Sequence, residues 1–208
     1  MPAAPIPTFK HERGLIAEGF TIIAGIDEAG CGCWAGPVYA AAVILPLDSR
    51  IGLIRDSKRL TERQRLSIVD QIKTRATAWA IGTASHQEVD RLNIRQAAFL
   101  AMRRAIESLS VKPTFILSDG FKIPNIDIPN KKIIGGDRYV KSIAAASVIA
   151  KVERDLEMEK LDQEYPGYGF ANHKGYGTRE HRESLKKLGP CAIHRMSYKP
   201  LHASRNPI

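Results

Sequence analysis

Hydrophobic positions along this chain fall into two kinds of pattern. Short apolar runs cover residues 22–26, 38–45, 76–84 and 113–118, with a shorter Lys131-Lys132-Ile133-Ile134 run after them, each bounded by glycine, proline or charge. Runs of that length and composition predict strands rather than helices. Elsewhere apolar residues recur at helical spacing, as in Leu66, Ile68, Val69 and Ile72, and again in Ala98, Met102, Ala105, Ile106 and Leu109. Thr61 with Gln64 and Ser85 with Glu88 have the capping-box pattern, so helices are predicted to run from there to about Arg75 and Leu92. A longer one follows from Asn93 or Ile94 to near Leu109.

The strongest helix is predicted over residues 139–165. Its first half, through residue 150, is small or apolar all round and should be buried against the sheet. Its second half is charged and amphipathic and is expected to project toward solvent, before Pro166-Gly167 stops it. Thr178 is predicted to cap a last helix to Leu188, ended by Gly189-Pro190. The tail from Cys191 has no clear period, and residues 1–14, with three prolines, read as a short disordered lead-in. A hairpin first and crossovers later indicate an α/β domain around a mixed sheet.

Three of the predicted strands end alike. The first runs into Asp27-Glu28, then Gly30, Gly32 and Gly36; the fourth into Asp119-Gly120; the fifth into Gly135-Gly136-Asp137. One Asp-Glu pair after one strand is also what an ordinary helix cap looks like. Three strands delivering acid to glycine-flanked ends are hard to obtain from structural turns alone. If those ends converge, Asp27, Glu28, Asp119 and Asp137 supply four hard oxygen donors with no His or Cys in line with them, a set that selects Mg²⁺ or Mn²⁺. Like charges so gathered repel unless a cation neutralises them, so the cluster itself implies a metal. Two such ions about 4 Å apart are the usual clamp for in-line phosphodiester displacement.

Charge strengthens the case for a polyanionic substrate. The chain carries a formal net charge of +9, and residues 171–208 hold eight Lys or Arg against two Glu, with four of the six histidines. Such a segment is a candidate polyanion footprint, though a merely solubilising surface has the same composition. At 208 residues and 44% hydrophobic the chain fits one large domain or a domain with a small appendage. It contains no 18-residue apolar run and no signal-peptide pattern, and its three cysteines suit a reducing compartment, so a cytoplasmic protein is expected. Cys31-Gly32-Cys33 is spaced too tightly for a standard zinc pair. No Lys-Ser or Lys-Thr follows the glycines as a phosphate-binding loop requires.

At this point the residues carry a family resemblance. GIDEAG-x-G…AGPV at 25–38, DSKRLT at 56–61, SDG at 118–120, GGDRYVKSIAAASVIAKVERD at 135–155 and YPGYGFANHKGYGTREH at 165–181 occur together in one order. The chain so resembles the prokaryotic type 2 ribonucleases H (ribonuclease HII) over most of its length. The resemblance implies a ribonuclease H-like fold, a five-stranded mixed sheet flanked by helices. Residues 1–165 would form the catalytic domain and 166–208 a basic C-terminal helical extension that helps bind substrate. It implies endonucleolytic cutting of RNA/DNA hybrids and of DNA duplexes containing single ribonucleotides, leaving 3′-hydroxyl and 5′-phosphate ends. Asp27, Glu28, Asp119 and Asp137 match the metal-binding carboxylates, Tyr176 the tyrosine that stacks on a sugar beside the RNA–DNA junction, and Lys58 a lysine near the substrate phosphate.

Physical chemistry makes these roles reasonable. Only a 2′-hydroxyl marks the ribonucleotide, and the Gly30 and Gly32 amides can approach it closely. Asp155 reads as part of the solvated face of the long helix, and Trp34 as packing. One departure stands out: where the family usually has Gly-Arg-Gly, this chain has Gly30-Cys31-Gly32. A thiol offers neither the charge nor the donor fork of an arginine. Two other readings share these residues: a different nuclease or resolvase of the same fold, and a nucleic-acid-binding module whose acidic site has lost activity. No membrane association and no obligate protein partner are readable.

Overall fold

The computed structural model describes residues 5–51, 54 and 61–202. Helix α1 (Lys10–Ala17) precedes strands β1 (Ile23–Ala29) and β2 (Val38–Ile44), then α2 (Glu62–Arg75), β3 (Ala78–Ala84), α3 (His86–Leu92) and α4 (Ile94–Glu107). Strands β4 (Phe115–Asp119) and β5 (Asn130–Ile133) follow, then α5 (Gly136–Tyr139), α6 (Lys141–Glu164), α7 (Phe170–His173), α8 (Arg179–Leu188) and α9 (Lys199–His202). The strands form one mixed sheet in the order β3-β2-β1-β4-β5. The β1–β2 and β2–β3 pairs are antiparallel, and β4 lies parallel to both β1 and β5.

Strand periodicity decides which residues meet which layer. Along β2, Val38, Ala40, Ala42 and Ile44 pack with Phe99, Met102 and Ile106 of α4, whereas Ala41 and Val43 pack with Ile68 and Ile72 of α2 and Ile149 of α6. A sheet buried on both faces explains why its strands read as continuous apolar runs. The glycine in β1 has a separate reason: a Cβ on Gly25 would overlap the backbone of Ser142 and Ile143. Helix α6 therefore lies unusually close over the central strand. Gly25→Ala should force them apart and lower stability by roughly 1–3 kcal/mol, read as a reduced urea midpoint with an unchanged m-value.

Three expectations need correction. The N-terminal stretch is not a disordered lead-in over its described residues. Phe9 and Leu15 are buried, Thr8 bridges to Val140, and the buried Glu12 accepts hydrogen bonds from the Ser142 amide and hydroxyl at 3.0 and 2.8 Å. Its carboxylate serves the first turn of α6, where backbone amides lack helical partners. The long helix also begins later than expected, because Val140 is extended (φ −112°, ψ 120°) and separates α5 from α6. Lastly, the second half of α6 does not simply project into solvent: Val152, Arg154, Asp155 and Met158 are buried. Tyr168, Phe170 and Ile193 pack with Met158 and cover that end.

Candidate active site

The carboxylates are brought together by strand register. In the parallel β1–β4 pair Gly25 faces Leu117 and Ile26 faces Ser118, so one step further Asp27 comes level with Asp119 on the neighbouring strand, about 4.8 Å away along the sheet. Side chains alternate along a strand, so Asp27 shares the face of Gly25 that looks onto α6. There it is buried and hydrogen-bonded with Ser147. Asp27, Glu28 and Asp119 line one cleft of about 310 Å³, together with Gly30, Cys31 and Gly32 of the β1–β2 turn, Ser147 and Lys151 of α6, and Tyr176.

The other candidates stand apart from this lining. Asp137 is buried in α5, one residue beyond Gly136, whose amide donates to Asp119 Oδ1 at 2.7 Å. Lys58 lies outside the described residues.

Electrostatics mark the cleft as a place that wants a cation. Burial pushes the Asp27 carboxyl well above the usual range, and repulsion from Glu28 and Asp119 adds to it. The Glu28 amide donates to Asp27 Oδ1 at 2.8 Å, which offsets only part of this. The Cys31 thiol, 3.7 Å from Glu28 Oε1, is likewise pushed up by burial and by Glu28, so it stays a neutral donor to that carboxylate. Tyr176 is 40% exposed, and burial followed by the neighbouring Cys33 pushes its phenol up to about 12. Its ring is therefore neutral at working pH, with the Lys151 ammonium 6.0 Å from the ring centre.

Two buried arginines shape the cleft floor, and the sequence reading passed over both. From α6, Arg154 donates through Nε to the Pro37 carbonyl (3.0 Å), through Nη1 to Lys174 (2.9 Å) and through Nη2 to Ala35 (3.2 Å). From the tail, Arg195 donates to the carbonyls of Gly36 (2.9 Å), Gly30 (2.8 Å) and Cys33 (2.8 Å). With carbonyls turned inward to these guanidiniums, and with an antiparallel bridge between Ala35 and His194 closed by Gly36 N to Ile193 O (2.9 Å) and Arg195 N to Trp34 O (2.8 Å), the glycine turn is held against the tail. Gly30 has φ +95°, and a side chain there would run into Arg154. Arg154 also links the turn to the loop carrying Tyr176, since Lys174 lies on that loop and the Trp34 amide donates to Gly175 O at 2.8 Å.

Asp155 corrects a further expectation. It is not on a solvated face but buried, paired with Lys151 and 3.9 Å from Arg65, so it holds a lysine that lines the cleft. A signal for it was present: Ser147, Lys151, Arg154 and Asp155 share one stripe of α6 at helical spacing. Arg195 had no such signal, because the tail has no period. Trp34 packs as expected, its ring filling the space beside Gly177.

Among the described residues no helix is long and apolar enough to cross a membrane. A family model described as Ribonuclease HII matches residues 24–201. The chain is 50% identical over 192 residues to the ribonuclease HII of Desulfitobacterium hafniense strain Y51, covering 92% of this chain and 74% of that protein. It is also 50% identical over 191 residues to the ribonuclease HII of Moorella thermoacetica, covering 92% and 93% of the two chains. The crystal structure of the ribonuclease H2 from Pyrococcus horikoshii OT3 shares the fold, with a TM-score of 0.75 at 24% identity over 88% of this chain and 97% of that one.

Proposed function

The chain belongs to the ribonuclease HII family, endoribonucleases of RNA/DNA hybrids, and from that premise we propose that it cuts hybrids and single ribonucleotides embedded in duplex DNA at the Asp27 cleft, leaving 3′-hydroxyl and 5′-phosphate ends. One observation carries this reading: the β1–β4 register sets Asp27 and Asp119 level at the mouth of a cleft that Tyr176 also lines. The donors are all carboxylate oxygens and their charges repel, which fits a hard divalent ion. Among the described residues no three His, Cys, Asp or Glu side chains stand ready-made around an ion. Asp27, Glu28 and Asp119, with Asp137 as the fourth, would hold Mg²⁺ or Mn²⁺, which when bound supplies positive charge to the attacking and leaving oxygens.

The remaining work falls to the chain's own groups. The amides of Gly30, Cys31 and Gly32 meet the ribonucleotide at close range, the carbonyls of Gly30 and Cys31 being engaged by Arg195. Lys151, held by Asp155, brings a cation to the phosphate side of the cleft. The Tyr176 ring presses on the adjoining sugar and favours one without a 2′-hydroxyl. Residues 166–208, with Arg179, Arg182, Lys186 and Lys187 on and around α8, extend the grip along the polyanion. Lys58 is assigned to the same phosphate contact on the strength of the resemblance.

The test sets three duplexes side by side, one with a lone ribonucleotide, one with an RNA tract and one all-DNA, each with Mg²⁺ and with Mn²⁺. Cutting of the first two only, abolished by chelation, is expected; cutting of all-DNA duplex would overturn the reading. Cys31 refines it. An arginine there adds a charged donor in a partly desolvated cleft, worth roughly 1.5–3 kcal/mol, so Cys31→Arg should raise kcat/KM on the lone-ribonucleotide duplex about 10- to 150-fold. Unchanged kinetics would remove that role from position 31.

A further inference from the structure

Beneath the Tyr176 loop lies a chain of buried histidines that no step above employs. His181 Nδ1 is 3.0 Å from the Tyr176 carbonyl, His181 Nε2 is 3.0 Å from His194 Nε2, and the Cys191 amide is 2.9 Å from His194 Nδ1. His181 is fully buried and His194 is 1% exposed. A carbonyl only accepts and an amide only donates. At the His194 end the shorter contact to Nδ1 is the Cys191 amide at 2.9 Å, with the Cys191 carbonyl at 3.2 Å, so the amide decides where the protons sit. His194 accepts at Nδ1 from Cys191 and carries its proton on Nε2. That proton is donated to His181 Nε2, which leaves His181 Nδ1–H to donate to Tyr176. A further proton on either ring would put two donors face to face. His173 obeys the same logic: the Gly175 amide donates to its Nδ1 at 3.2 Å, leaving Nε2–H for the Tyr168 carbonyl at 2.9 Å, and its ring stacks on His181 at 4.4 Å.

We propose that His181, anchored through His194 to the Cys191 amide, is a positioning residue that holds the Tyr176 loop at the cleft, and that the relay works only with both rings neutral. This rests on Tyr176 contacting the substrate, as read above. The geometry gives the relay its leverage. The Tyr176 carbonyl also accepts from the Thr178 amide at 2.8 Å, the Tyr176 amide donates to His173 O at 2.9 Å, and Trp34 fills the space beside Gly177. With its peptide held on both sides, the Tyr176 ring has little freedom beyond its own rotamer.

The surroundings keep the rings uncharged. Burial is the main cause and holds both near 4, with His173 disfavouring charge on each ring. His86 adds to this at His194, whereas Glu180 favours charge at His181. The Cys191 thiol is 3.1 Å from His194 Nδ1, the Tyr168 ring lies 5.3 Å from His194, and Arg182 sits across the Trp34 ring at 5.5 Å.

Two variants at His181, a Tyr176→Ala background and one spectrum test this on the full chain. His181→Phe keeps a ring for stacking and removes both hydrogen bonds; His181→Asn places an amide donor near the old Nδ1 and gives up the link to His194 and the ring stacked on His173. On the lone-ribonucleotide duplex, His181→Phe should lower kcat/KM roughly tenfold, as for one buried hydrogen bond, mostly through KM. His181→Asn should recover most of it, and His181→Phe should add nothing in a Tyr176→Ala background. Ring ¹⁵N shifts of the unaltered protein at pH 7 should show His181 protonated at Nδ1 and His194 at Nε2. Reversed tautomers, equal loss in the Phe and Asn variants, or a His181→Phe defect that persists without Tyr176 would each overturn the proposal. If Tyr176→Ala is impaired and His181→Phe is not, the inference alone fails. If Tyr176→Ala is itself unimpaired, the role given to Tyr176 fails and the relay's function goes with it. Should His181→Phe not fold, the tautomers decide.

Discussion

Asp27→Asn is expected to abolish cleavage while making the metal-free protein harder to melt. The two effects share one cause. Asp27 is buried beside Glu28 and Asp119, and those neighbours and the lack of solvent disfavour its charge. An acid whose folded pKa is raised contributes stability that is complete below its unfolded value and is lost as pH rises through the folded one. At neutral pH the raised carboxyl is thus a cost that function imposes, and asparagine removes it while keeping the shape. A gain of about 1–2 kcal/mol is expected, or roughly 2–8 °C in Tm for a chain of this size. Cleavage should fall at least about 10³-fold, the upper end of what losing one fixed transition-state contact costs. Added Mg²⁺ should then raise the Tm of the parent protein but not of the variant. Melting in chelator and in Mg²⁺ reads all of this. A variant less stable than its parent in chelator would mean that the carboxylate is structural.

Arg154→Met should damage fold and activity together. The fully buried guanidinium supplies the carbonyls of Ala35, Pro37 and Lys174, and methionine fills much of the space without a donor. Three stranded buried acceptors at about 1–3 kcal/mol each come to a loss of roughly 3–9 kcal/mol, or about 6–36 °C in Tm. At temperatures where the variant is still folded, kcat/KM should fall on the order of 100-fold. The glycine turn and the Tyr176 loop lose their common anchor, and a displacement near 1 Å at a positioned group has that effect. Arg154→Lys keeps the charge but not the fork, and should fall between. Circular dichroism melting with single-ribonucleotide kinetics checks both halves; a Tm within 3 °C of the parent (about 1 kcal/mol) would contradict the clamp.

Much of this molecule was readable in the order of its residues. Strands β1 to β4 each carry a short apolar signature, whereas the edge strand β5, Asn130-Lys131-Lys132-Ile133, is mostly polar; the Thr61 and Ser85 capping boxes form as expected. Asp27 and Asp119 could be picked out because a strand ending in acid and glycine is a local pattern. What failed was long-range. Glu12 pairs with Ser142, 130 positions away, and Arg195 reaches Gly30 across 165. Nothing local to either residue announces its partner. The burial of Arg154 and Asp155 was misjudged for a related reason: charged residues on a long helix look solvated until another segment, here Tyr168 to Ile193, is known to cover them. The resemblance supplied Tyr176, yet the histidine relay under it becomes visible only when donors and acceptors are counted in space.

One measurement goes to the heart of the account: anomalous scattering from crystals of the unaltered protein soaked with Mn²⁺ and an RNA/DNA duplex made uncleavable at the scissile bond. The account predicts a peak in the cleft bounded by the side chains of Asp27, Glu28 and Asp119, with the scissile phosphate against it and the Tyr176 ring over the neighbouring sugar. A duplex seated elsewhere on the surface, or Mn²⁺ bound away from these three carboxylates, would contradict it.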